Sequence, residues 1–153
     1  MGGCEKTSTQ GKWLRNNLAN ATIKRSTLAY FHHPLYSTGN NIPNPNVKPL
    51  WQILYNNRAD VILNGHAHRY ERFAPLTPAG ATDSQNGIRQ FVVGTGGAPG
   101  GSEIYYDQAP GVEVVETGTS GVIKLDLSAG TYRWQYIPIE GQTFSDSGTD
   151  ECH

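Results

Sequence analysis

Four of the chain's five histidines fall between positions 32 and 68, at His32, His33, His66 and His68. Neutral imidazole is the commonest protein metal ligand near neutral pH, so this stretch is the chemical centre of the sequence. His66 and His68 stand in Gly65-His66-Ala67-His68, directly after the apolar run Val61-Ile62-Leu63 and Asn64. His32 follows a second apolar run, Leu28-Ala29-Tyr30-Phe31. Two residues apart on extended backbone, His66 and His68 point to one side, and Gly65 lets the chain turn just before them. The spacing predicts a metal site made of His32, His66 and His68 at the carboxyl ends of buried strands, where open α/β sheets form their ligand crevice. His33 faces the opposite way on extended backbone, so its expected role is to support a ligand rather than to be one.

Other polar residues stand close by. Tyr70, Glu71 and Arg72 follow the histidines directly. Glu71 has the chemistry of a ligand or a base, but a buried Glu–Arg brace holding the loop is the preferred reading. Asn64 can donate to a substrate oxygen, although a turn-stabilising amide is the simpler role. Gly94-Thr95-Gly96-Gly97 is followed by neither a properly spaced third glycine nor Lys-Ser/Thr, so it reads as a turn ending a strand and not as a phosphate loop. No Gly-x-Ser-x-Gly elbow is present, and neither cysteine has a histidine partner in its sequence context, which leaves nucleophilic Ser or Cys catalysis unsupported.

The elements that must position these residues are readable from periodicity. Residues 10–20 read as a helix with Trp13, Leu14 and Leu18 on its buried side. Residues 27–31 read as a strand that His32-His33-Pro34 ends, because Pro34 blocks simple continuation. Residues 37–45 are a loop rich in Asn, Gly and Pro. Asn46 is the expected N-cap of a second helix, whose Val47, Leu50, Trp51 and Leu54 form an i, i+3, i+4, i+7 stripe. Residues 61–63 are then a buried strand, which completes a βαβ unit and implies parallel strands. Further on, 75–87 reads as a polar loop, 88–93 as a strand and 102–120 as irregular. Residues 122–127 and 131–137 alternate around Ala129-Gly130 as a hairpin. The polar tail from Gly141 is expected to pack loosely.

Bulk properties narrow the function classes. A chain of 153 residues suits one domain, spanning residues 1–153. A net charge of -1 gives no basic footprint for nucleic acid. No apolar run approaches the roughly 20 residues of a membrane span. No signal peptide is visible, and Lys6 breaks the myristoylation pattern. Asn20-Ala21-Thr22 is a glycosylation acceptor by pattern alone. Cys4 and Cys152 either form a disulfide that ties distant parts of the chain or pair outside it, and spacing does not choose.

Phe31-His32-His33-Pro34 and Asn64-Gly65-His66-Ala67-His68-Arg69-Tyr70-Glu71-Arg72 together resemble the last two metal motifs of calcineurin-like metallophosphoesterases. The closest branch is that of purple acid phosphatases and secreted alkaline-phosphatase-like enzymes. Trp13-Leu14, the Val92–Gly97 turn and the ending Thr143–Gly148 with Cys152-His153 extend the resemblance over nearly the whole chain. It implies an α/β fold, namely the C-terminal part of the family's α/β/β/α sandwich, with a parallel βαβ unit followed by antiparallel strands. It also implies hydrolysis of phosphate esters at a dinuclear centre of divalent or trivalent ions (Fe, Zn, Mn or Ca). His32 and His66 would bind one ion and His68 the other, with His33, Asn64, Tyr70, Glu71 and Arg72 around the ligands or on the substrate side. The parent enzyme would be secreted or extracytoplasmic.

The family's earlier motifs, Asp-x-His, Gly-Asp and Gly-Asn-His, are absent, and no Asp precedes Asp60. The chain therefore reads as the C-terminal half of such a domain, with the N-terminal half as an implied partner and little activity expected alone. Two rivals remain. One is a non-catalytic binding or assembly module that retains the histidine cluster. The other is a mononuclear zinc hydrolase using His32, His66 and His68 with water.

Overall fold

The computed structural model describes residues 3–21, 26–39, 43–98 and 109–153. Helix α1 spans Thr9–Ala19, and the Ser8 side chain caps it by accepting from the Gly11 amide. Strand β1 is Leu28–Tyr30, and α2 is Lys48–Asn56 after a 3-10 turn at Pro45–Val47. The chain continues as β2 (Val61–Asn64), β3 (Tyr70–Leu76), β4 (Ile88–Val93) and β5 (Val112–Glu116). It ends with β6 (Gly121–Ser128), β7 (Thr131–Pro138) and β8 (Ser147–Glu151).

A mixed five-stranded sheet has the order β1-β2-β4-β3-β5, with β1, β2 and β4 parallel and β3 antiparallel to both of its neighbours. A second, antiparallel sheet has the order β6-β7-β8. Side chains alternate across β2 and β4 as a two-residue period requires. Ile62 and Val92 face the helices with Trp51, Leu54, Phe73 and Leu76. Val61 and Phe91 face the second sheet with Tyr70, Tyr132, Trp134 and Tyr136. The result is a helix layer, a mixed sheet and an antiparallel sheet stacked around two cores. Each fully buried Ile or Phe stabilises this arrangement by roughly 1.5–3 kcal/mol.

The α2 stripe of Val47, Leu50, Trp51 and Leu54 is buried as its spacing requires. The turn ahead of α2 is capped by Asn44, whose side chain accepts from Asn46 N, so the cap lies two residues earlier than expected. Trp13 is a correction of another kind. It is 62% exposed, because α1 presents only Gly11 and Leu18 fully to the core. Three strands differ from the sequence reading. β3 occupies polar Tyr70-Glu71-Arg72 and enters the supposed loop, β5 crosses the supposed irregular segment, and β8 orders the tail by pairing with β7. Both cysteines are free thiols, with Cys4 packed on the helix-side core and Cys152 on the inter-sheet core. Parts of three sequence readings lie outside the described residues: Thr22 of the glycosylation triplet, positions 40–42 of the first loop and 102–108 of the irregular stretch.

Among the described residues, an edge strand of each sheet has one unpaired side: β1 has a strand neighbour only in β2, and β6 only in β7. The two edges lie together, since Ser26 Oγ donates to the Ser128 carbonyl at 2.5 Å. A cavity of about 670 Å³ between them is lined by Tyr30, Phe31, His32, Leu63, Val122 and Ile123, among others. Tyr30 is 82% exposed there.

Candidate metal centre

His32 stands two residues beyond β1 and His66 two beyond β2, at the carboxyl ends of adjacent parallel strands. The strand pairing carries on into the loops: Phe31 N donates to Leu63 O and Gly65 N to His32 O, both at 3.1 Å. Asn64 clamps the first loop, with Nδ2 donating to Phe31 O at 2.7 Å and to His33 O at 3.3 Å. The turn-stabilising role expected for Asn64 is thus its observed contact.

Beyond Asn64 the backbone is no longer extended. Ala67 N donates to Gly65 O and Arg69 N to Ala67 O, both at 2.8 Å, which makes tight three-residue turns centred on His66 and His68. His66 has φ 65°, in the left-handed region. A β-carbon there costs roughly 1–2 kcal/mol, and such strain concentrates at functional sites. Gly94 makes the turn possible. It ends β4 against this loop, donates its N–H to Arg69 O at 3.1 Å, and leaves no room for a β-carbon beside the Ala67 carbonyl.

His32, His33 and His66 come together. His32 Nε2 lies 3.1 Å from His66 Nδ1, and one donor nitrogen from each of the three rings lies within 4.8 Å of the others. Two nitrogens bonded tetrahedrally to one zinc ion at 2.0–2.1 Å would sit about 3.3 Å apart, so the His32–His66 spacing already suits a shared ion. His33 joins them because the strand ends at Tyr30 and the following bend removes the alternation that would send it to the opposite face. His68 is exposed and outside this group, yet near enough to influence His66 electrostatically.

The His66 imidazole titrates below its ordinary value. Desolvation is the largest cause, and positive charge on His33, His32 or His68 opposes its protonation further. This favours the neutral, metal-binding form. Among the described residues no carboxylate belongs to the group. The donor set therefore fits one ion, and a pair of ions needs anionic ligands from elsewhere.

Glu71 and Arg72 point to opposite faces of β3 and do not brace each other. Glu71 is fully buried, and its Oε1 accepts from Ser37 Oγ, the Thr38 amide and Thr38 Oγ1, with Arg69 Nε 4.0 Å away. Glu71 thereby fixes the loop that follows His33-Pro34. Arg72 and Tyr70 instead reach the second sheet through Asp146. Arg89 and the Ser37-Thr38 pair carry no motif, and Asp146 stands in the Thr143–Gly148 ending without an assigned role; their roles arise from contacts distant in sequence.

No protein-family model matches this chain, and no curated protein sequence matches it. Solved structures do. Purple acid phosphatase PPD1 from yellow lupin (Lupinus luteus) seeds superposes with a TM-score of 0.81 at 22% identity, over 95% of this chain and 28% of that one. GAP50, the anchor in the inner membrane complex of Plasmodium, gives 0.65 at 14% identity, covering 92% of this chain and 41% of that one. PhoD gives 0.54 at 14% identity, covering 90% of this chain and 31% of that one. The chain thus has a metallophosphoesterase-like fold, and it spans less than half the length of these neighbours.

Proposed function

We propose that this chain is the C-terminal part of a metal-dependent phosphoesterase that hydrolyses phosphate esters. The observation that carries the reading is the 3.1 Å approach of His32 Nε2 and His66 Nδ1 at the carboxyl ends of adjacent parallel strands. It occurs in a fold shared with a purple acid phosphatase. His32 and His66 hold one ion and His68 contributes to a second. A bound ion supplies Lewis acidity toward a phosphoryl oxygen and lowers the pKa of water. The chain's own part is positional: Asn64 fixes the His32-His33 bend, Gly94 admits the His66 turn, and Glu71 anchors the adjoining loop.

The anionic ligands come from the remainder of the sandwich. The coincident open edges of β1 and β6 are where that remainder docks, with His32 beside the cavity between them. An extracytoplasmic setting for the complete enzyme follows from the motif resemblance. A binding or assembly role draws support from GAP50, a neighbour that is an anchor.

The experiment is metal analysis with a chromogenic phosphate ester assay. The 153-residue chain alone is expected to bind metal but turn over little. Adding the complementary part of the sandwich, fused or separate, restores chelator-sensitive hydrolysis, and His68→Ala abolishes it. Robust chelator-sensitive turnover by the chain alone would favour a mononuclear hydrolase. Absence of turnover in the completed domain would favour the assembly role.

A further inference from the structure

We propose that His33 is a direct metal ligand and completes, with His32 and His66, a mononuclear three-imidazole centre. The proposal rests on the reading that His32 and His66 share an ion, and adds a donor that the motif resemblance leaves outside the ligand set. It makes this stretch a binder of one zinc-type cation without any other part of the domain.

Three observations support it. The donor nitrogens of His32, His33 and His66 all lie within 4.8 Å of one another. The ring centroids are 4.8 Å apart for His32–His33, 5.0 Å for His32–His66 and 4.5 Å for His33–His66, so the rings surround one point without stacking in parallel. The backbone is held where this needs it, because Asn64 Nδ2 bonds the carbonyls of Phe31 and His33 on either side of His32. Tetrahedral ligand nitrogens sit about 3.3 Å apart. The widest separation must therefore shrink by about 1–1.5 Å, which side-chain rotation of the exposed His32 and His33 rings can supply without moving the strands.

The donor chemistry selects the cation. Imidazole nitrogens suit zinc, copper, nickel and iron, whereas magnesium and calcium require oxygen ligands. Three protein ligands with a fourth position open to solvent is the ligand count of a catalytic zinc site. Three neutral donors also leave the full charge of the ion in place, which makes the centre an anion acceptor until carboxylates join it.

The test uses the full chain and zinc or cadmium alone. In calorimetric zinc titrations, His33→Ala weakens binding by at least roughly 10–100-fold, the loss that even an outer-shell partner produces. Melting curves confirm that each variant is folded. In the wild-type chain, cadmium–nitrogen scalar coupling appears at the rings of His32, His33 and His66, which reports bonding without any substitution. Coupling at His68 in place of His33, with His33→Ala binding normally, overturns the proposal and leaves the shared His32–His66 ion standing. Normal zinc affinity in both His32→Ala and His66→Ala removes the shared ion itself and the functional reading with it.

Discussion

Asp146, between the two sheets, accepts from Tyr70 Oη at 2.5 Å, Arg72 Nε at 2.8 Å and Trp134 Nε1 at 3.1 Å. Arg89 pairs with Glu113 at 2.7 Å and Asp150 at 2.9 Å, and Arg72 also contacts Glu113. The Arg72 and Arg89 guanidiniums each lie 5.2 Å from the Trp134 ring, within cation–π range. At the carboxyl end of β1 and β2 the pattern reverses: three like imidazoles face one another, and no carboxylate joins them among the described residues. The inter-sheet cluster answers each charge with its opposite inside this chain and so holds the sheets together. The histidine crevice gathers three imidazole donors, and burial together with the neighbouring rings disfavours protonation of His66, an arrangement suited to a cation.

That contrast breaks most visibly at Trp134. Trp134→Ala removes the ring that packs between the sheets and is expected to lower stability by about 3–5 kcal/mol in urea unfolding. Zinc affinity of the folded state should not change. A parallel fall in affinity would show that the two regions are coupled.

Asp146 gives the next largest effect. Burial alone raises its pKa, but hydrogen bonds from Arg72 and Tyr70 and the charge of Arg72 outweigh it and hold the carboxyl below 3.8. A carboxylate depressed on folding stabilises fully above its unfolded value, and the contribution is lost as pH falls through the folded pKa. Asp146→Asn should cost about 1.5–3 kcal/mol at neutral pH. It should also remove part of the stability loss expected below pH 3.8. Parallel acid-unfolding curves for variant and wild type would contradict the assignment.

The smallest effect has the opposite sign. His66→Gly relieves the left-handed backbone and should stabilise the chain by about 1 kcal/mol while removing metal binding. A destabilised variant would mean that the ring is a structural part of the loop, which would undo the distinction between the two regions.

Legibility in the sequence followed local periodicity. The α2 stripe needs only 3.6-residue spacing, and β2 and β4 need only apolar runs bounded by turns. β3 escaped because Glu71 and Arg72 read as a brace within the histidine loop, whereas the loop at Ser37-Thr38 and the second sheet supply their separate partners. β8, Ser147–Glu151, has no apolar residue at all and is ordered by its ladder to β7 and by the Arg89–Asp150 pair. Trp13 misled because a helix stripe shows which residues are apolar without showing how wide a face the sheet will cover.

The sequence by itself determined the donors and their approximate placement: imidazoles just past two apolar strands joined through an amphipathic helix. Which of them converge was decided only by tertiary structure. A two-residue period assigns faces while the backbone stays extended, and here it ends at Tyr30 and Asn64. Past those points, ring direction depends on the Asn64 clamp, the φ of His66 and the close approach of Gly94 to Ala67. Those contacts join residues roughly 27–33 positions apart, and no local pattern encodes them.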